Sequence, residues 1–188
     1  ARDPHEAYAG LVFDTTFPPG NYPVFVTRAF CDVAHDVAFA GIRFTDSLPI
    51  RWEPTEGSDK EGRVPGYGVD SATGSFMDKL TDQLLDQRLE EESEAHPYPK
   101  TSPTDQHLYD CLEDHSWAEV FLDSEQHANL FIFKLAGDGG YASYYGYDTD
   151  GAIACIVTDF FGLWRKEITM WPASYPPLPK EFDPDFFT

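Results

Sequence analysis

Basic residues are scarce in this 188-residue chain: 13 Lys and Arg stand against 33 Asp and Glu, a formal net charge of −20 at pH 7. A surface of that sign repels phosphate backbones and anionic lipid, which argues against nucleic-acid and membrane-surface partners. Cysteine is nearly absent. Cys31, Cys111 and Cys155 are far apart and form no C-x-x-C pair, so the sequence encodes neither a structural zinc motif nor a thioredoxin-type one. Cys155 sits inside the apolar run 152–157, and three buried thiols are expected rather than a disulfide scaffold. No apolar run approaches the roughly 18–20 residues that a membrane-spanning helix needs. The six histidines are scattered, with no H-E-x-x-H and no paired ligand spacing, so no metal site is assigned to them. A P-loop, a G-x-S-x-G elbow and the kinase signatures are missing. Gly66-Tyr67-Gly68 begins like a dinucleotide-binding turn, but Ser71 holds the place of the third glycine and no βαβ pattern surrounds it. Residues 1–6 lack both an initiating methionine and a signal-peptide pattern, which leads to the expectation of a processed or trimmed chain, cytoplasmic in location.

Aromatic residues are plentiful: 15 Phe, 10 Tyr and 4 Trp, within a hydrophobic share of 41%. That is enough apolar surface for a packed core, and the length fits one domain over residues 1–171 with a Pro-rich tail, 172–188, packed on it. Alternation of apolar and polar residues predicts strands over 22–29, 37–45 and 50–53, after the turn at Pro18-Pro19-Gly20-Asn21. Residues 54–66 are polar and glycine-rich and read as an exposed loop. The main helix is expected to start at Ser75 as its cap, with Phe76, Leu80 and Leu84, then Met77, Leu85 and Leu89, forming the apolar stripe. A short helix is expected over 105–113 with Leu108, Cys111 and Leu112 inward. Strands follow over 117–122, 128–135, 141–147 and 152–161, and Asp150-Gly151 is read as a type I′ hairpin turn. The proline-interrupted tail is expected to be anchored by Phe182, Phe186 and Phe187. The predicted fold is therefore α+β, an aromatic-rich antiparallel β-sandwich or curled sheet with one main helix and one short helix.

Candidate chemistry gathers in three places. The run from Gly66 to Asp78 is rich in small and hydroxyl residues and leads into the expected helix N-terminus, where free amides favour an anion. Thr73 and Ser75 are its candidate binding residues, with Asp70 beside them. The Gly137-Asp138-Gly139-Gly140-Tyr141 run lets backbone approach a ligand closely, which makes Asp138, Gly139 and Tyr141 further candidates. Asp159 closes an apolar strand, and a carboxylate buried there needs donors, a cation or a raised pKa. If Asp70, Asp138 and Asp159 converged, they would suit acid–base work or a hard divalent cation; no other metal and no cofactor is expected. Asp148-Thr149-Asp150-Gly151 lacks the glycine position and the twelfth-place Glu of a calcium loop and is read as a turn.

These same segments resemble an uncharacterised bacterial family, the domains of unknown function numbered 4241. The resemblance is carried by residues 18–24, by Ile50-Arg51-Trp52-Glu53, by Gly68 to Asp78, by Gly137 to Tyr141, by Gly146-Tyr147-Asp148 and by Val157-Thr158-Asp159-Phe160, over roughly residues 17–161. The chain departs from the family pattern at Ala72, where a glycine is usual, and at Leu135-Ala136, where Gly-Trp is frequent. The resemblance implies a fold and marks out these loops, and it implies no reaction.

Two functional classes follow. The first is a non-enzymatic binding module of the immunity or inhibitor type, docking its acidic surface on a basic protein, since complementary charge speeds association and fixes orientation. The acidic excess is densest over residues 81–115, where Asp82, Asp86, Glu90, Glu91, Glu92, Glu94, Asp105, Asp110, Glu113 and Asp114 are set against Arg88 and Lys100. The second is a hydrolase or transferase with Asp70 and Asp159 as catalytic carboxylates and Thr73 and Ser75 holding an anionic group.

Overall fold

The computed structural model describes residues 12–13, 15–28, 37–55, 66–95, 102–113 and 115–160. They form, in order, strands β1 (Val24–Arg28), β2 (Val37–Arg43), β3 (Arg51–Pro54), β4 (Gly66–Val69) and β5 (Thr73–Met77), helices α1 (Lys79–Ala95) and α2 (Pro103–Cys111), and strands β6 (Trp117–Asp123), β7 (Ala128–Lys134), β8 (Gly139–Tyr147) and β9 (Ile153–Asp159). The protein is thus mixed α+β and dominated by two antiparallel sheets that do not close into a barrel, as the alternation in the sequence predicts. Among the described residues no helix is long and apolar enough to cross a membrane. The Pro-rich tail with Phe182, Phe186 and Phe187, Cys31 and most of the 54–66 loop lie outside the described residues.

The chain divides into two compact units. The first contains residues 66–140 with the short segments 1–13 and 28–37. Its sheet runs β5-β7-β6, with both helices on one face. Opposed residues of antiparallel strands share a face, so the pairs Met77↔Leu130, Ser75↔Ile132, Ala118↔Ile132 and Val120↔Leu130 place these side chains together. Leu85 of α1 and Leu108 of α2, with Leu112 just beyond it, meet Val120, Leu122, Leu130 and Ile132 in the core. Each fully buried Leu or Ile there contributes about 1.5–3 kcal/mol. On the opposite face, Phe76 and Phe133 pack with ring centroids 5.4 Å apart. Gly74 lies under that ring: a Cβ there would come 2.3 Å from Cε2 of Phe133.

The main helix begins three residues later than the sequence pattern suggests. Asp78 is its cap, its Oδ1 accepting from the Thr81 N–H at 2.7 Å, and Ser75 lies mid-strand in β5. Pairing with β7 and the ring over Gly74 outweigh the helical spacing of Phe76 and Leu80. Leu80 is consequently exposed, while Thr81, Leu85 and partly Leu84 and Leu89 face inward. Past the cap, α1 holds good helix formers and neither Gly nor Pro, and Pro97 and Pro99 follow it in the sequence. The short helix is close to expectation. Ser102 caps it by accepting from the Asp105 N–H at 3.1 Å, and Pro103 occupies the first turn, where its missing N–H costs nothing.

The second unit contains residues 14–27, 38–65 and 141–188. Its strands follow the order β1-β2-β9-β8-β3. β9 is central and buried over nearly its whole length, with Arg43 opposite Cys155 on one side and Gly146 opposite Cys155 on the other. Gly41 allows the β1 side chain Phe25 to lie across β2, since a Cβ there would meet Phe25 at 2.4 Å and the Ile156 carbonyl at 2.5 Å. Burial pushes the Cys155 thiol up to about 11. Cys111 and Cys155 both carry free thiols, Cys155 buried and Cys111 half-buried. The β8–β9 turn differs from the expected type I′: among its residues only Gly151 has a positive φ, +79°. The Asp148 carboxylate organises it instead, accepting from the N–H groups of Asp150 at 3.0 Å and Ala152 at 2.9 Å, with Gly151 N–H donating to the Asp148 carbonyl at 3.1 Å.

Candidate functional site

The turn between β4 and β5 is built by Asp70, Ser71 and Ala72. Ala72 has φ = +51°, a left-handed conformation that costs a residue with a Cβ about 1 kcal/mol or more. Two hydrogen bonds hold it there: its N–H donates to Oδ1 of Asp138 at 2.9 Å, and its carbonyl accepts from the Leu135 N–H at 2.8 Å. The structure therefore brings Asp138 to the turn that follows Asp70, across 66 residues of sequence. Asp138 and Asp70 are both exposed. The Thr73 hydroxyl donates to the Ser71 carbonyl at 3.2 Å. Thr73 and Ser75 are 2% and 0% exposed on the helix-bearing side of the sheet, so neither stands at a helix N-terminus and the anion pocket expected from them is not formed. A Cβ at Gly137 or Gly140 would meet nothing within 4 Å among the described residues.

Asp159 ends β9 in the second unit and is 4% exposed, opposite Phe39 on one side and Ala142 on the other. The neighbouring Thr158 and Ser143 hydroxyls share a buried hydrogen bond of 2.7 Å. Tyr141 and Phe160 pack edge to face at 5.1 Å, so the Tyr141 ring serves that strand end as a packing group. Gly139, the first residue of β8, falls with Asp138 in the first unit. Among the described residues no group of three or more His, Cys, Asp and Glu is placed to hold a metal ion.

The helical layer carries a run of exposed acidic residues. On α1, Glu90, Glu91 and Glu94 are exposed, and the helix carries no basic residue in its last turn. Negative charge there opposes the helix macrodipole. Arg88, the cation among them, reaches across to donate to the Leu122 carbonyl at 2.6 Å. Glu92 has a different task. Its carboxylate accepts from both the N–H of Thr104 at 3.0 Å and its hydroxyl at 2.7 Å, tying α1 to the first turn of α2. Burial alone would raise its pKa, but the donors of Thr104 and Ser102 outweigh that and hold it below its ordinary value of 4.5.

Sequence reasoning missed one feature altogether. At the end of the β6–β7 ladder, where the Lys134 N–H donates to the Ser116 carbonyl at 2.8 Å, a cleft of about 210 Å³ is lined by Arg28, Glu113, His115, Ser116, Trp117 and Lys134. The Arg28 guanidinium lies 5.7 Å from the centroid of the Trp117 ring, in cation–π range. A pair of cations 106 positions apart, Arg28 and Lys134, leaves no local motif; only their rarity in an acidic chain marks them. The family model described as a protein of unknown function, DUF4241, matches residues 1–158. No curated protein and no solved structure matches the chain.

Proposed function

This chain belongs to the DUF4241 family of proteins of unknown function, and from that premise we propose that it is a binding module that docks the acidic outer face of its α1–α2 layer on a basic protein, as an immunity or inhibitor protein does. The observation that carries this is the charge of that face. Glu90 and Glu94 project to solvent at a helix end where negative charge opposes the helix macrodipole, while Glu91 beside them accepts from the Gln87 side chain at 2.7 Å. Asp110 and Glu113 extend the same sign along and beyond α2. Charge complementarity of this kind raises association rates by orders of magnitude at low salt and rejects acidic competitors.

The test is affinity capture from the source cell with three forms of the protein: wild type, Glu90→Lys with Glu94→Lys, and a control of equal charge change, Glu125→Lys with Asp150→Lys. All four residues are exposed. A captured protein of high isoelectric point that is retained by the control and lost by the helix variant supports the reading. Equal loss from both variants, or a partner that is itself acidic, overturns it.

A further inference from the structure

We propose that the outer edge of β6 is a strand-addition site. It takes an extended, antiparallel segment of a basic protein, with an Arg or Lys opposite Glu119 and an apolar residue on either side of it. The inference deepens the docking reading and rests on it, since the segment is part of the same basic partner.

The open edge is the first argument. β6 is the last strand of the β5-β7-β6 sheet. In an antiparallel ladder one residue turns its N–H and C=O to the neighbouring strand and the next turns them away. Ser116 faces β7, because its carbonyl accepts from the Lys134 N–H at 2.8 Å, and Trp117 comes next, opposite Phe133. Ala118 and Val120 therefore face β7, while Trp117, Glu119 and Phe121 present their backbone groups outward. The bulge between Phe121 and Asp123 ends this run, and the Leu122 carbonyl beside it is taken by Arg88 at 2.6 Å. Among the described residues no strand pairs with the other side of β6. Outward donors and acceptors at alternate residues are a template for an extended chain.

The side chains along that edge are the second argument. Trp117, Glu119 and Phe121 share the sheet face that carries Phe133, away from the helices. Trp117 is 36% exposed and Phe121 55%, with Glu119 exposed between them. Oε1 of Glu119 accepts from Asn129 at 2.7 Å, which orients the carboxylate and leaves it capacity for further donors. A residue opposite Glu119 on an added strand has its Cβ about 4.5–5.5 Å away, and long side chains reach the diagonal neighbours. An Arg or Lys there meets the carboxylate directly, with the Phe121 ring in reach. The Trp117 ring already has the Arg28 guanidinium 5.7 Å from its centroid, so the row suits cations. On the other face, the flanking residues of the segment fall opposite Ala118 and Val120, next to the apolar core.

Charge selects the occupant. A second copy of this chain brings its own −20 to the contact, whereas a basic segment relieves repulsion. An exposed Glu mid-edge is a device that keeps like strands off, and it favours a strand of opposite sign.

The experiment is an amide NMR titration of the full chain with a capped nonapeptide, Ser-Val-Thr-Val-Arg-Val-Thr-Val-Ser, at fixed pH and ionic strength. Saturable shifts are expected at Trp117, Glu119 and Phe121, half-complete on the order of 0.1 mM for a short segment that is ordered on binding. Replacing its Arg by Glu, or N-methylating its Arg and both Thr, weakens binding about tenfold or more by removing the charge pair or the strand bonds. In the protein, Glu119→Lys weakens binding about tenfold or more and Phe121→Ser about threefold. Asp150→Lys, an equal charge change at an exposed turn residue, leaves it unchanged. Phe121→Ser keeps the test decisive if Glu119→Lys, which also loses the Asn129 contact, fails to fold. Absence of saturable shifts, undiminished binding of the Glu or N-methylated peptide, or β6 shifts that follow protein concentration without peptide, the mark of a second copy, overturns the proposal. The titration reads the edge without the partner, and capture with Glu90→Lys and Glu94→Lys reads the helical face without the peptide, so the two failures are distinguishable.

Discussion

Ala72 and Thr81 each sit in a place that suits another residue better. Ala72 adopts φ = +51°, where a side chain crowds the backbone and glycine does not. Ala72→Gly removes that strain at the cost of a more flexible unfolded chain, and a gain of about 0.5–1 kcal/mol is expected in urea denaturation. The gain is checked against Asp138→Ala, which takes away the acceptor of the Ala72 N–H and should lower stability. Thr81 is fully buried in α1, and its hydroxyl has no hydrogen-bond partner among the described residues. Thr81→Val keeps the shape and deletes the unsatisfied group. Helix propensities of the two are similar, so stabilisation of about 1 kcal/mol is expected by the same measurement.

Elements in this protein are joined by carboxylates as much as by apolar packing. Asp78 caps α1, Asp148 builds the β8–β9 turn, and Asp123 accepts from the N–H groups of Glu125 and Gln126 in the β6–β7 connection. Glu92 is the clearest case, because its bonds to Thr104 couple two helices. Its pKa lies below the ordinary 4.5 in the folded protein, so its ionised form is favoured by folding. The stability it contributes is complete above 4.5 and is lost as the pH falls through the depressed folded value. Glu92→Gln should therefore be less stable than wild type at pH 7, and the gap should close on acidification below that value. A gap that stays constant with pH, in paired thermal melts, would show that the carboxylate's charge is irrelevant. The helix start shows why such elements were only partly legible beforehand. Thr73 to Met77 carries both helical spacing and small residues, and the decision between them lay with β7 and the Phe133 ring, more than fifty residues away.

For the whole molecule the net charge of −20 is a standing cost to the folded state. Self-repulsion is greatest where charges are held close and is screened by salt, with a Debye length of about 30 Å at 0.01 M falling to about 8 Å at 0.15 M. The melting temperature should rise by roughly 3–6 °C over that range, equivalent to about 1–2 kcal/mol. Binding to a basic partner should move the opposite way and weaken with salt. The two trends together separate a docking charge from mere solubility, for a surface that only solubilises shows the first without the second. At high pH the buried Cys155 thiol adds a further dependence. Its folded value near 11 lies above the ordinary 9.0, so the stability tied to its neutral form is present below 9.0 and is lost as the pH rises through 11. Cys155 should resist alkylation in the folded protein and react on unfolding.

The sequence by itself determined the local and the compositional: the strands of alternating residues, the existence of the short α2 helix, though not its Ser102-Pro103 start, the α+β class, the sign of the charge and its density over residues 81–115. Each of these depends on neighbours within a turn or a strand, or on a sum over residues, and both are readable in one dimension. Only the tertiary structure decided that Ser75 is a buried strand residue, that Asp138 meets the turn after Asp70, and that Arg28 and Lys134 share a cleft with Trp117. Those depend on which strands pair and where the chain returns, which is a balance of burial and hydrogen bonding over the whole unit.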